Sequence, residues 1–157
     1  MESKQEVYET VLERIEILIA EEIDLISIMS TISCELFHAF EYVNWAGFYR
    51  KVDERTLKVG PYQGSHGCLQ IAIDRGVCGK CVREAAVQLE NDVSSLPFHI
   101  ACSSETKAEI VLPVKDTAGE VRAVLDIDSV VRDVFDEIDK EYLSKICGLV
   151  SERYTIN

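Results

Sequence analysis

The sequence predicts an α+β fold: a largely antiparallel sheet of five or six strands, with the N- and C-terminal helices packed on one face. Apolar residues recur at helical spacing at both ends of the chain, and the middle consists of short strand-like segments with mostly short connections. The 157 residues contain no repeat or low-complexity tract, so we expect one domain over residues 1–157. The second face of the sheet is then left for a ligand.

Three helices cover the predicted sheet. The first carries apolar residues at Val7, Val11, Leu12, Ile15, Leu18 and Ile19. The second follows Asp24 and carries them at Leu25, Ile28, Met29, Ile32, Leu36, Phe37 and Phe40. The third is near the C-terminus, with Asp136 as a candidate N-cap and an apolar face of Ile138, Tyr142, Leu143, Ile146, Leu149 and Val150.

The strands are predicted from segments rich in β-branched and aromatic residues. VNWAGFYRKV and TLKVGPYQG flank a turn at residues 53–55 and should form a hairpin. LQIAI and AVQLEND are short strands on either side of the helix-like GVCGKCVREAA, and residues 93–104 form a loop. AEIVLPVKD and EVRAVLDIDS are joined by a glycine-containing turn at residues 117–119, which suits a second antiparallel hairpin.

Charge and composition exclude several classes of partner. The chain has 16 basic and 28 acidic residues, and its net charge of −12 repels nucleic acid and anionic lipid surfaces. The N-terminus reads as an amphipathic helix rather than a signal peptide, and no apolar run approaches membrane-spanning length. We therefore expect a cytoplasmic protein, in which structural disulfides are rare. Six cysteines there indicate catalysis, metal binding or burial.

Three carboxylates are predicted to share the open face of the sheet. Strand alternation puts Val121, Ala123, Leu125 and Ile127 on one face and Val124, Asp126 and Asp128 on the other. Across a hairpin centred on Ala118, Glu109 lies near the level of Asp128. Such a cluster attracts an ammonium group, and mutual repulsion raises at least one pKa enough for a carboxyl to donate a proton. Alternatively, the two aspartates lie at a solvated strand end and act as a helix cap or turn. Glu109 would then be a surface residue that forms an ion pair with Lys107.

The cysteines fall into two groups. Cys34 and Cys147 lie on apolar faces of predicted helices, where we expect buried thiols without a role. Cys68, Cys78 and Cys102 lie beside glycines or in a loop, where a thiol can be exposed and a thiolate stabilised.

The CGKC sequence at Cys78 and Cys81 suggests a dithiol pair or half of a zinc site. A zinc site would need to recruit ligands from Cys68, Cys102, His66 and His99. Because no standard spacing enforces that set, we expect no metal.

Aromatic and histidine side chains could complete a site. Trp45 and Tyr49 are four residues apart on one strand and therefore share a face. They are core residues or an aromatic wall suited to a thioether or sulfoxide. His66 and His99 each precede a cysteine closely, so each is either a base or ligand, or a loop histidine bonded to backbone.

Taken in order, these residues resemble the free methionine-(R)-sulfoxide reductase family, whose members are single GAF domains. The matching blocks are WAGFY, VGPYQG before Cys68, RGVCG with Cys78, HIAC with Cys102, EIVLPV, VLDIDS and FDEID. The chain departs from the family's commoner pattern at His66-Gly67, Phe98, Ser103 and Cys81. No departure removes a group that the chemistry requires, although Cys81 makes a relay through Cys78 and Cys81 conceivable.

The resemblance implies a role for each matching residue. Cys102 is the nucleophile, Cys68 the principal resolving thiol and Cys78 a second cysteine able to join the disulfide exchange. Glu109, Asp126 and Asp128 match the acidic substrate-binding residues, and Trp45 and Tyr49 match the aromatic pocket.

The reaction implied is reduction of free L-methionine-(R)-sulfoxide through a sulfenic acid and an intramolecular disulfide. It uses no bound cofactor; thioredoxin, itself kept reduced by NADPH, restores the thiols. GAF domains commonly dimerise, and the N-terminal helices offer a surface for this. The competing hypotheses are a non-enzymatic redox or small-molecule sensor and a zinc-stabilised interaction protein.

Overall fold

The computed structural model describes residues 1–96, 102 and 105–154. These residues form four α-helices: α1 (Lys4–Ile19), α2 (Leu25–Ala39), α3 (Gly76–Glu84) and α4 (Glu137–Ser151). They form six strands: β1 (Val43–Asp53), β2 (Thr56–Gly64), β3 (Gln70–Ala72), β4 (Gln88–Glu90), β5 (Ala108–Lys115) and β6 (Val121–Ser129). A 3₁₀ turn at Val93–Ser95 follows β4. The α+β class and each predicted helix and strand are thus confirmed.

The six strands form one sheet in the order β3-β2-β1-β6-β5-β4, and every neighbouring pair is antiparallel. Both predicted hairpins are present, since Asp53 pairs with Thr56 and β5 pairs with β6 across the turn at residues 117–119. Gly119 has φ +82°, a left-handed conformation that glycine adopts without strain. The long strands β1, β6 and β5 therefore lie side by side at the centre.

The two faces of the sheet have different cores. On one face, α2 and α4 pack on inward residues such as Phe48, Leu112 and Leu125, and α1 packs on α2 and α4. On the other face, α3 packs through Val77 and Cys81 against a smaller cluster. The terminal helices lie on one face as predicted, and α3 leaves part of the opposite face accessible to a ligand.

Local capping explains where the terminal helices begin. Ser3 and Glu6 form a capping box at the start of α1, and Asp136 and Asp139 form another at the start of α4. The Asp24 carboxylate accepts from the backbone N–H of Ser27 and caps α2. The predicted cap at Asp136 is thus confirmed. None of the described helices is both long and apolar enough to cross a bilayer.

Two expectations about side-chain direction are wrong. Cys34 is exposed, because the buried stripe of α2 runs along Ile28, Met29, Ile32, Ser33 and Leu36 and leaves position 34 on the outer side. Val121 packs in the cluster under α3 rather than with Ala123. A register shift between Val114 and Lys115 interrupts the alternation there. Cys147 is buried, as expected.

Candidate functional site

The three predicted carboxylates come from two adjacent strands in direct register. Glu109 on β5 pairs with Asp128 on β6, near the level that the predicted turn gave, and Asp126 lies two residues before Asp128 on the same face. A hairpin centred on Ala118 would give Ile127 as the partner, and the register shift near the turn moves the pairing by one residue. On the other side of β6, Trp45 of β1 pairs with Asp128. Regular strand pairing therefore brings the carboxyls and the Trp45 indole to one patch of the sheet.

A cavity opens over this patch, on the side of the sheet covered by α3. The predicted residues that line it are Trp45, Tyr49, Cys78, Cys102, Glu109, Asp126 and Asp128. Its empty space, including solvent at the mouth, is about 510 Å³.

The third predicted cysteine, Cys68, is bonded to Cys102. Their Cα atoms are 5.4 Å apart, within the usual range for a disulfide. Cys102 is the member of this pair that lines the cavity. The structure therefore represents the oxidised form, with one cysteine of the disulfide in the wall of the cavity that the carboxyls also line.

Burial and mutual repulsion control the protonation of the carboxyl cluster. Removal from water raises the pKa of Asp126 well above its ordinary value, and the nearby Asp128 and Glu109 carboxyls raise it further. The pKa of Asp128 is raised by burial and then by Glu109. At least one carboxyl of such a cluster holds a proton near neutral pH, so the cavity contains a proton donor.

Helix α3 brings Cys78 into contact with this cluster. The Cys78 thiol is buried and donates to Asp126 Oδ2 across 3.5 Å. Burial raises the pKa of Cys78 well above its ordinary value, and Asp126 and Glu109 add to the effect. Burial likewise raises the pKa of Cys81 to about 12. Both thiols of the CGKC sequence are therefore protonated at neutral pH in this state.

Trp45 and Tyr49 form the aromatic wall of the cavity, and Tyr62, which is not a lining residue, stacks on Trp45. The Trp45 ring lies 5.6 Å from that of Tyr49 and 5.1 Å from that of Tyr62, both nearly parallel. Gly67 lies against this wall, since a Cβ there would be 3.0 Å from the Tyr49 hydroxyl. Gly47 makes room for Tyr62, whose Cβ would clash with a side chain at position 47. The expectation that Trp45 and Tyr49 lie on the same face of β1 is confirmed.

Several buried polar atoms of the cavity have no hydrogen-bond partner among the described residues. They are Trp45 Nε1, Thr106 Oγ1, Asp126 Oδ1 and Asp128 Oδ1. Leaving such atoms unpaired costs about 1–3 kcal/mol each. One indole donor, one hydroxyl and two carboxyl oxygens are therefore available to a polar ligand.

Sequence reasoning missed part of the lining and left His66 undecided. The additional lining residues are His66, Gly67, Ile71, Gly76, Val77 and Thr106. Thr106 gave no signal beyond its place just before β5, and Tyr62 was visible only as part of the VGPYQG block. His66 is exposed and lines the cavity. His99, the other candidate histidine, lies outside the described residues, as does most of the HIAC block.

Two of the ligands that the zinc hypothesis needed are bonded to each other. Cys68 and Cys102 form a disulfide and so cannot bind a metal in this form, although Cys78, Cys102 and His66 line the same cavity. In the described part of the chain, the group of ligand-type atoms that comes together is Cys78, Glu109 and Asp126. This group is chemically different from the cysteine and histidine set of a structural zinc site.

Comparison with known proteins assigns the family. A family model described as GAF domain matches residues 20–152. The free methionine-R-sulfoxide reductase of Saccharomyces cerevisiae is 36% identical over 156 residues, covering 96% of this chain and 87% of the yeast protein. Protein YtsP of Bacillus subtilis is 41% identical over 143 residues, covering 90% of this chain and 87% of its own length.

A solved structure with the same fold is that of free methionine-R-sulfoxide reductase from Neisseria meningitidis in complex with its substrate. It superposes with a TM-score of 0.92 at 35% identity, covering 99% of this chain and 92% of the other. The GAF fold expected from the resemblance is therefore confirmed. The chain belongs to the GAF-domain proteins and, among them, to the free methionine-R-sulfoxide reductase family.

Proposed function

We propose that this protein reduces free L-methionine-(R)-sulfoxide to L-methionine. The observation that carries the proposal is the cavity that Cys102 lines together with Glu109, Asp126, Asp128 and Trp45. A free amino acid complements these groups, because its ammonium pairs with carboxylates and its sulfoxide can meet both a thiol and a proton donor. The names of the related reductases from yeast and N. meningitidis support the same activity.

The carboxyl cluster accounts for a preference for the free amino acid. Unpaired oxygens of Asp126 and Asp128 accept from the substrate ammonium, whereas the nitrogen of a peptide-bonded methionine carries no charge. The first turn of α3, from Gly76 to Cys78, lines the same cavity and lacks a side-chain cap. Its backbone N–H groups suit the substrate carboxylate. The Trp45 and Tyr49 rings suit the S-methyl group.

The chemistry follows from the positions of the two bonded cysteines. In the reduced enzyme, the Cys102 thiolate attacks the sulfoxide sulfur while a protonated carboxyl of the cluster protonates the sulfoxide oxygen. The resulting hydroxyl passes to the Cys102 sulfur, and the bond between the two sulfurs breaks with its electron pair on the methionine sulfur. Methionine is released, and Cys102 is left as a sulfenic acid. The Cys68 thiol then condenses with it, releasing water and forming the Cys68–Cys102 disulfide. Cys78 is the further thiol able to join the exchange.

The two electrons that each cycle consumes come from an external dithiol. Thioredoxin, kept reduced by its NADPH-dependent reductase, is the proposed donor, because thiol–disulfide exchange at Cys68 and Cys102 restores both thiols. No bound cofactor is needed. We place the reaction in the cytoplasm, where that donor is reduced.

A second copy of the chain is a further proposed partner. The C-terminal end of α1 and the start of α2 expose Ile17, Leu18, Ile23 and Ile26, a set of large apolar side chains close together in sequence. Sedimentation at graded concentrations should give a dimer, and Ile17→Glu with Ile26→Glu should give a monomer. A wild-type monomer at all concentrations would reject this assignment.

Turnover measurements test the proposed function directly. The reduced protein, thioredoxin, its reductase and NADPH are mixed with free methionine sulfoxide or with the N-acetyl derivative, and NADPH oxidation is followed. We expect turnover of the free compound only, loss of turnover in Cys102→Ser, and near wild-type turnover in the surface control Cys34→Ser. Binding without turnover would instead support a sensor.

A further inference from the structure

The thiol of Cys78 and the carboxyls of Glu109 and Asp126 form a compact buried group in the wall of the cavity. One ligand-type atom from each lies within 4.8 Å of the other two. Their exposed fractions are 4% for Cys78, 6% for Glu109 and 4% for Asp126. We propose that this group binds a thiophilic divalent cation, such as Zn²⁺ or Cd²⁺, and that the bound cation inhibits the enzyme.

The spacing of the donor atoms fits tetrahedral coordination. Zinc bonds of about 2.3 Å to sulfur and about 2.1 Å to oxygen, at a tetrahedral angle, separate the two donors by about 3.6 Å. The observed distance from Cys78 Sγ to Asp126 Oδ2 is 3.5 Å. A cation can therefore replace the thiol proton between these atoms with little movement of β6 or α3, and that proton passes to solvent.

An independent observation supports a ligand at this place. Asp126 Oδ1 is buried and has no hydrogen-bond partner in the described part of the protein, although its residue lines the cavity. Asp128 Oδ1 is likewise buried and has no hydrogen-bond partner among the described residues. Buried anionic groups are stabilised when they coordinate a metal.

A cation here would occupy the place proposed for the substrate ammonium and would hold the Cys78 sulfur. The inhibitory consequence rests on the proposed function, whereas the binding itself does not. The cation is not a cofactor, because the proposed reaction needs no metal.

Cobalt titration of the disulfide form tests the site. In that form Cys68 and Cys102 are unavailable as ligands, and no added reductant competes for the metal. We expect one equivalent of Co²⁺ to produce a near-ultraviolet thiolate-to-cobalt absorption band, which Zn²⁺ and Cd²⁺ displace. Cys78→Ser should abolish the band, and Asp126→Asn should weaken binding at least about tenfold, as loss of metal-site groups does.

Two cysteine variants serve as matched controls. Cys81→Ser removes the other thiol of the CGKC sequence, and Cys34→Ser removes the exposed thiol beside His38. Both should keep the band and the affinity, with circular dichroism confirming that every variant is folded. Absence of the band in the folded wild type, its survival in Cys78→Ser, or its loss in either control would overturn the proposal.

A turnover assay separates this proposal from the proposed function. Zn²⁺ should inhibit competitively with free methionine sulfoxide, and a chelator should restore the rate. If the protein binds cobalt but has no reductase activity, the proposed function is rejected and the proposed metal site is retained. Full activity with the site occupied would reject the inhibitory role.

Discussion

Asp126 shows most clearly that a residue of the candidate site can lower the stability of the folded protein. It lies between strand neighbours that are buried, its carboxyl contacts Cys78, and one of its oxygens is unpaired among the described residues. A buried carboxyl without full pairing destabilises the folded state, most strongly when it is charged. The sequence predicted the face and level of Asp126, because alternation along β6 and the turn after β5 determine both.

The unfavourable ionisation of Asp126 should appear in the pH dependence of stability. Its folded-state pKa is raised by burial and by Asp128 and Glu109, so between about pH 4 and the raised pKa the folded state binds more protons than the unfolded state. The free energy of unfolding therefore falls as pH rises through this window. Asp126→Asn should lose that contribution, so its stability relative to wild type should increase from pH 4 to pH 8.

Urea unfolding of the disulfide form at each pH measures the effect. The control is Asp74→Asn, at a highly exposed carboxyl, which should keep the wild-type slope. Parallel curves for Asp126→Asn and wild type over this range would contradict the electrostatic account of the cluster.

Among the elements, the β5–β6 hairpin was predictable from the sequence, whereas the position of α3 over the sheet was not. The turn at residues 117–119 predicts Glu109 near the level of Asp128, which is local information, and the register shift between Val114 and Lys115, which the sequence did not reveal, makes them direct partners. Helix α3 forms one wall of the cavity because Val77 and Cys81 pack on the sheet, a contact distant in the chain. The exposure of Cys34 was missed because nearly every position around α2 is apolar or small, which leaves the buried stripe ambiguous.

Two glycines on different elements should respond oppositely to alanine. A Cβ on Gly148, within α4, or on Gly119, in the hairpin turn, would meet no atom within 4 Å. Gly148→Ala should stabilise the protein by about 0.5–1 kcal/mol, because alanine favours the helix. Gly119→Ala should destabilise it by about 1–2 kcal/mol, because its φ of +82° strains an L-residue.

Thermal and urea unfolding of the two variants, with wild type as reference, compare these effects directly. Equal shifts of the same sign would mean that backbone conformation does not control the hairpin turn. A loss of stability in Gly148→Ala would show that the outer face of α4 is less open than the structure indicates.

In the molecule as a whole, the two faces of the sheet have different roles: one carries the main hydrophobic core and the other carries the cavity. The large core under α1, α2 and α4 is built from aliphatic and aromatic side chains, and the cavity lies on the opposite face under α3. Composition and periodicity predicted this division. They did not predict that Thr106 lines the cavity, because this depends on how distant segments close over the sheet.

A single-turnover experiment tests the central claim most directly. The fully reduced protein is mixed with the R or the S epimer of free methionine sulfoxide without any reductant, and the released methionine and the disulfides are identified by mass spectrometry. We predict one equivalent of methionine from the R epimer alone and a new bond between Cys68 and Cys102. Methionine from the S epimer alone, or a disulfide that leaves Cys102 free, would contradict the account.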